Sequence, residues 1–220
     1  MVLIALDTET TGLSPQNGDR IIEIACVHIV EDVLSDQFEY FHTLVNPERH
    51  IPYQATAIHG IKDKDVMNQP KFIDIVDEFL FYIKDATLVI HNAQFDLKFL
   101  NFELSKIGEK NIENNIIDSL SVARNLFPGT SNSLDALCNK FKISLEQRKK
   151  HNALIDTKLL AQVYLQLNTC SQKTMRLDNT TIIKNRTNKI LPARPIPSLS
   201  REEEDCHTKF LHDILQVDSW

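Results

Sequence analysis

The run Val2-Leu3-Ile4-Ala5-Leu6, closing on Asp7-Thr8-Glu9-Thr10-Thr11-Gly12, constrains this chain more than any other segment. Five consecutive apolar residues have no polar face, so the run reads as a strand covered on both sides of its sheet. Side chains two apart in a strand point the same way. Asp7 and Glu9 therefore leave the end of a buried strand as two carboxylates on one face. Unpaired charge is costly to bury, and a divalent cation, which takes carboxylate oxygens, relieves that cost. The alternative is a strand end running into a polar turn bent at Gly12, and the pair alone does not choose between the two.

Two later segments carry the same kind of signal. In Leu88-Val89-Ile90-His91-Asn92-Ala93-Gln94-Phe95-Asp96, a short apolar strand is followed by Asn92, a helix N-cap residue type, and by Asp96 in the first helical turn. In His151-Asn152-Ala153-Leu154-Ile155-Asp156 a helical run opens that reaches Leu167. Residues five apart are turned by roughly 140° on a helix of ~3.6 residues per turn, so His151 and Asp156 cannot share one helical face. His151 is therefore expected on the loop before the helix and Asp156 within its first turns. A loop histidine can approach and leave a substrate, whereas a helical aspartate is a fixed ligand.

In order along the chain stand Asp-x-Glu-Thr-Thr-Gly, His-Asn-Ala-x-Phe-Asp and His-x-Ala-x-x-Asp, all complete. This set resembles the DEDDh group of 3′–5′ exonucleases. Further stretches are similar to the epsilon subunits of bacterial DNA polymerase III, its proofreading exonucleases. They are His59-Gly60-Ile61, Asp118-Ser119-Leu120-Ser121-Val122-Ala123-Arg124, and the run from Phe127 to Cys138. The likeness is close over roughly three quarters of the chain and weaker to its end. It implies an α/β, ribonuclease H-like mixed sheet flanked by helices, with a flexible C-terminal extension. It also implies two divalent cations, Mg2+ or Mn2+, held by Asp7, Glu9, Asp96 and Asp156. Asp7 would bridge them, Glu9 and Asp156 would complete one site, and Asp96 would support the other. Two cations ~3.5–4 Å apart activate water and stabilise the leaving oxygen. His151 would be the catalytic general base, since histidine as a residue type titrates near ~6.5. Asp7, Glu9, Gln54, His59 and Asp156 would contact the substrate. Gln54 departs from the acidic residue common at its place. From the residues alone, His59 reads as an exposed histidine in a turn, Asn92 as a cap, and Asp118 and Ser133 as caps of the helices that follow.

Charge bears on the substrate. The net charge is −6, and residues 1–168 carry 16 basic and 23 acidic residues. A protein that grips duplex nucleic acid unaided usually shows a basic footprint. The acidic balance suits an enzyme whose metals meet the phosphate and whose DNA 3′ end, single-stranded or frayed, is delivered by a partner. Cys26, Cys138, Cys170 and Cys206 form no CxxC pair and read as free thiols of a reducing cytoplasm. No apolar stretch approaches the ~20 residues that span a membrane. Met1 leads directly into the first strand, so no signal peptide is expected and the expected location is the bacterial cytoplasm.

Residues 20–30 and 37–45 read as two further strands, giving an antiparallel meander with the first. Alternating helices and strands follow, which indicates a mixed sheet with helices on its faces. The expected domains are an exonuclease domain over 1–168, a linker over 169–199 and a polymerase-binding segment over 200–220. The linker has no aromatic residue up to position 195, and residues 173–194 hold six basic residues and one acidic. Ser200-Arg201-Glu202-Glu203 is a capping signal, followed by Phe210, Leu211, Ile214 and Leu215 at helical spacing. So short an amphipathic helix needs a partner. The resemblance implies the polymerase alpha subunit as that partner, with the beta sliding clamp and the theta subunit as others. Residues 172–177, with Gln172, Met175 and Leu177, resemble a clamp-binding peptide. The expected function is removal of mispaired 3′-terminal nucleotides. A free-standing exoribonuclease and a non-catalytic polymerase-stabilising subunit are the alternatives.

Overall fold

The computed structural model describes residues 2–29, 39–146, 148 and 150–175, all within one unit spanning Met1–Leu177. Strand β1 (Leu3–Thr10) is the centre of a five-stranded sheet. On one side it pairs antiparallel with β2 (Ile21–His28), which pairs antiparallel with β3 (Tyr40–Leu44). On the other side it pairs parallel with β4 (Thr87–Ile90), which pairs parallel with β5 (Ile116–Asp118). The order is β3-β2-β1-β4-β5, the mixed sheet expected. Parallel pairing of β1 and β4 ends at Leu6 and Ile90. Asp7 and Glu9 thus continue beyond the last rung, at the carboxyl ends of parallel strands, where open α/β sheets place their ligand crevices.

The two-residue period of β1 distributes its side chains between two cores. Ile4 and Leu6 join the larger one, with Ile24, Cys26, Phe41, Phe79, Phe99 and Leu100. Its helices are α3 (Phe72–Ile83) and α4 (Ala93–Lys106), which follow α1 (Tyr53–His59) and the short α2 (Asp63–Val66). Ala5 points the other way and meets Val89, Leu160 and Ala161. Leu160 and Ala161 belong to α7 (Ala153–Met175), the long helix laid against β1 and β2. Small side chains at Ala5, Ala25 and Ala161 let that helix approach closely. The helices α5 (Ser119–Leu126) and α6 (Leu134–Phe141) pack on α7 through Ala123, Leu137, Val163 and Leu167.

The caps expected at Asp118 and Ser133 are present. The Asp118 carboxylate accepts from the backbone of Leu120 and Ser121, and the Ser133 hydroxyl from Ala136. Four expectations are corrected. The turn read around His59 is the end of a helix, α1 over Tyr53–His59, with Ala55 and His59 buried one turn apart. His59 is accordingly a buried residue of a helix and not an exposed one in a turn. Asn92 stands at the start of α4, but in the left-handed region (φ 70°) and with no side-chain cap bond. Helix α7 continues past Leu167 to Met175, through the composition change at Asn168. The expected linker beyond Met175 and the segment 200–220 lie outside the described residues, as do Arg176 and Leu177 of the clamp-binding peptide.

Candidate active site

Asp7 and Glu9 share the face of β1 that carries Ala5, and so point toward α7. Helix α7 brings Asp156 to them from its first turn. Thr8 lies on the opposite face, and its backbone N–H and hydroxyl both donate to Asp96 Oδ1, at 3.0 and 2.7 Å. Asp96 is in the first turn of α4, so this fork ties the second helix to the same strand end. Four carboxylates from three elements thereby meet at the carboxyl end of the central strand. His151 lies two residues before α7, with its side chain half exposed, and its Nδ1 is 3.4 Å from Asp156 Oδ2. Its backbone N–H donates to Ile58 O at 3.3 Å, which fastens the loop to α1.

The five residues expected from the sequence are therefore brought together. Of the two further substrate-binding candidates, Gln54 is exposed in the first turn of α1, and His59 closes that helix. His59 Nδ1 accepts the N–H of Ile61 at 3.0 Å, so in the neutral ring the proton is on Nε2. That Nε2 is buried and meets no hydrogen-bond partner among the described residues. Burial, opposed by Glu23 and reinforced by Lys150 and His151, holds the His59 pKa below its ordinary value and keeps the ring neutral. Gly60 follows with φ 83°, and a Cβ there would come within 2.8 Å of Lys150 Cδ. The left-handed backbone there favours glycine, and a side chain would also displace that of Lys150.

Crowding of carboxylates dominates the electrostatics. Burial, then the charges of Asp96, Glu9, Asp156 and Glu23, push Asp7 well above the usual carboxylate range. Burial and the charge of Glu23 push Glu9 up to about 8, with Arg148 opposing. Burial raises Asp96 to about 7 against the two Thr8 hydrogen bonds. Such groups are restrained from ionising by the lack of compensating positive charge, and a bound divalent cation supplies it. The donor set fits one. Glu9, His151 and Asp156 each offer a ligand atom, all within 4.8 Å of one another. A cleft of about 840 Å³ opens beside them, lined by Asp7, His91, Asp135, Arg148, His151 and Asp156.

Two residues of the site were not among those expected. Glu23 stands opposite Glu9 in the β1–β2 register and is buried. It accepts from the Ala153 N–H (3.1 Å), from Asn152 Nδ2 (2.9 Å) and from His42 Nε2 (2.8 Å). It therefore pins the start of α7 to the sheet. Arg148, in the loop between α6 and α7, forks Asp156 with Nε at 2.5 Å and Nη2 at 2.9 Å, and pairs with Asp135 through Nη1. Its nearly buried guanidinium also lies 3.0 Å from His151 Nδ1.

Comparison with known proteins places these features. Residues 4–164 match the RNase_T exonuclease family model. The DNA polymerase III subunit epsilon of Rickettsia typhi is 44% identical over 222 residues, covering 96% of each chain. Exonuclease X, solved in complex with 5′ overhanging duplex DNA, superposes with a TM-score of 0.61 at 28% identity, over 77% of this chain and 93% of that one. The nuclease domain of 3′hExo, a DEDDh family member bound to rAMP, superposes with a TM-score of 0.66 over 76% and 92%. At 19% identity it shows the fold alone.

Proposed function

The chain belongs to the RNase_T exonuclease family and, within it, to the DNA polymerase III epsilon subunits, and from that premise we propose how its residues perform the reaction. The protein is a 3′–5′ exonuclease of DNA polymerase III that removes mispaired terminal nucleotides, and it depends on divalent metal. The observation that carries the residue assignment is the convergence of Asp7, Glu9, Asp96 and Asp156 with His151 at the end of the central strand. The four carboxylates Asp7, Glu9, Asp96 and Asp156 would hold the divalent metal, Mg2+ or Mn2+. When bound, the metals polarise the phosphate and the attacking water and offset charge on the leaving oxygen.

The remaining work falls to the chain itself. His151 takes a proton from the water that attacks the terminal phosphodiester. The bond from phosphorus to the 3′-oxygen breaks, leaving a 3′-hydroxyl on the strand and freeing a nucleoside 5′-monophosphate. His59 offers its buried Nε2–H to the terminal nucleotide, and Gln54, in the first turn of α1, offers an amide. DNA with a single-stranded or frayed 3′ end is the substrate. The alpha catalytic subunit binds residues 200–220, and the beta clamp and a theta-like subunit are further partners, in the bacterial cytoplasm. Among the described residues no helix is long and apolar enough to cross a membrane.

His151→Ala is the deciding experiment. Loss of a general base costs ~10²–10⁴-fold in turnover. The half-exposed side chain predicts a retained fold, and the four carboxylates left in place predict Mn2+ binding that falls far less than turnover. Near-normal excision of a mispaired primer terminus by the variant at neutral pH would reject the assignment.

A further inference from the structure

Arg148 is the residue of the site whose role the reaction does not explain. Among the described residues it makes the only arginine or lysine ion pair to the cluster of Asp7, Glu9, Glu23, Asp96 and Asp156. Its fork engages both oxygens of Asp156, and its third nitrogen is held by Asp135. Arginine has donors only, so the contact at 3.0 Å makes His151 Nδ1 the acceptor and puts the proton of the neutral ring on Nε2. One guanidinium thus engages a ligand oxygen pair and a lone pair of the base together.

We propose that Arg148 and a divalent cation compete for Asp156, so that Arg148 sets the metal affinity of the site and metal loading frees His151. This rests on the assignment of Asp156 as a metal ligand. The fork faces the same carboxylate that lies with Glu9 close enough for both to hold one ion. A carboxylate oxygen has lone pairs enough for both partners, so the competition is one of charge. A guanidinium about 3 Å from a ligand oxygen repels a doubly charged ion strongly at the low effective dielectric of a nearly buried site. It also offsets the carboxylates when no metal is bound, which stabilises the fold in a chelator. Arg148 is therefore a positioning residue with two opposed effects.

The test is Arg148→Met in the full chain, followed by thermal unfolding and by Mn2+ titration calorimetry. The melting temperature in EDTA should fall, the Mn2+-induced rise should grow, and the Mn2+ dissociation constant should drop by roughly tenfold, the scale of a unit charge a few ångström away. Unchanged or weaker Mn2+ binding in the variant would overturn the proposal and make Arg148 a support for Asp156. Absence of Mn2+ binding in the wild type would instead reject the metal assignment. Should Arg148→Met not fold, Arg148→Gln removes the charge while keeping an amide donor toward Asp156, and its Mn2+ affinity should likewise rise. Imidazole 15N shifts of the wild type supply an independent reading. His151 should carry its proton on Nε2 in EDTA and lose the Nδ1 hydrogen bond on adding Mg2+. An Nδ1 shift that Mg2+ leaves in place would count against release.

Discussion

Asp7 illustrates how one side chain is set by neighbours it does not touch in sequence. Burial and four surrounding carboxylates disfavour its charge, so the bare site stores repulsion that a cation removes. Asp7→Asn should therefore raise the melting temperature in EDTA at pH 8, where the unfolded chain gains from ionising Asp7 and the fold disfavours it. The same change should shrink the Mn2+-induced rise, because a central ligand is lost. An undiminished rise would place the metal elsewhere. Thr8, between the two acidic residues of the motif, has a separate duty. It faces away from them and anchors Asp96 by two donors, so strand alternation sends alternate residues of one short motif to different helices.

At the scale of elements, the start of α7 decides whether His151 and Asp156 reach the strand end. Glu23→Ala leaves the buried Ala153 N–H without its acceptor, which costs about 1–3 kcal/mol. Turnover should fall with it, since both His151 and Asp156 hang on that anchor. Denaturant unfolding and excision assays on the same sample check the pair, and stability kept with activity lost would point to a direct role for Glu23. Much of this layer was readable from sequence: β1 and β4 stand out as apolar runs, the first closing on Asp7 and Glu9 and the second leading through His91 and Asn92 into the helix that carries Asp96. Helix α1 was not, since only Ala55 and His59 face inward over its two turns and Pro52 precedes it. The extra turns of α7 were hidden by Asn168, Thr169 and Ser171, weak helix formers that follow on from a helix already anchored by packing. Glu23 sits between Ile22 and Ile24, so alternation suggests a solvent face, and only α7 lying over β2 buries it. Arg148 belongs to a polar loop, and nothing local to it announces an inward turn.

For the molecule as a whole, the carboxylate cluster makes stability depend on pH. Glutamate in the unfolded chain titrates near 4.5 and Glu9 in the fold at about 8, while Asp96 moves from 3.8 to about 7. The folded state thus binds more protons across that interval, and stability in EDTA should fall as pH rises from about 4 through about 8. Saturating Mg2+, which binds the ionised carboxylates, should flatten or reverse the slope. A slope that Mg2+ leaves unchanged would separate these groups from the metal. Truncation after Leu177, beyond the described end of α7, should leave single-strand degradation intact and abolish association with the polymerase. Retained association in a pull-down would reject a polymerase contact through residues 200–220. During synthesis on the ribosome, Asp7, Glu9 and Asp96 emerge well before His151 and Asp156, and α7 is the element that both covers Ala5 and delivers the last ligand. A nascent chain halted ahead of His151 holds Asp7, Glu9 and Asp96 but neither the proposed base nor Asp156, and its sheet face over Ala5 is uncovered. On the proposed assignment, closing the core over Ala5 and completing the hydrolytic site are then the same step of synthesis, the arrival of α7.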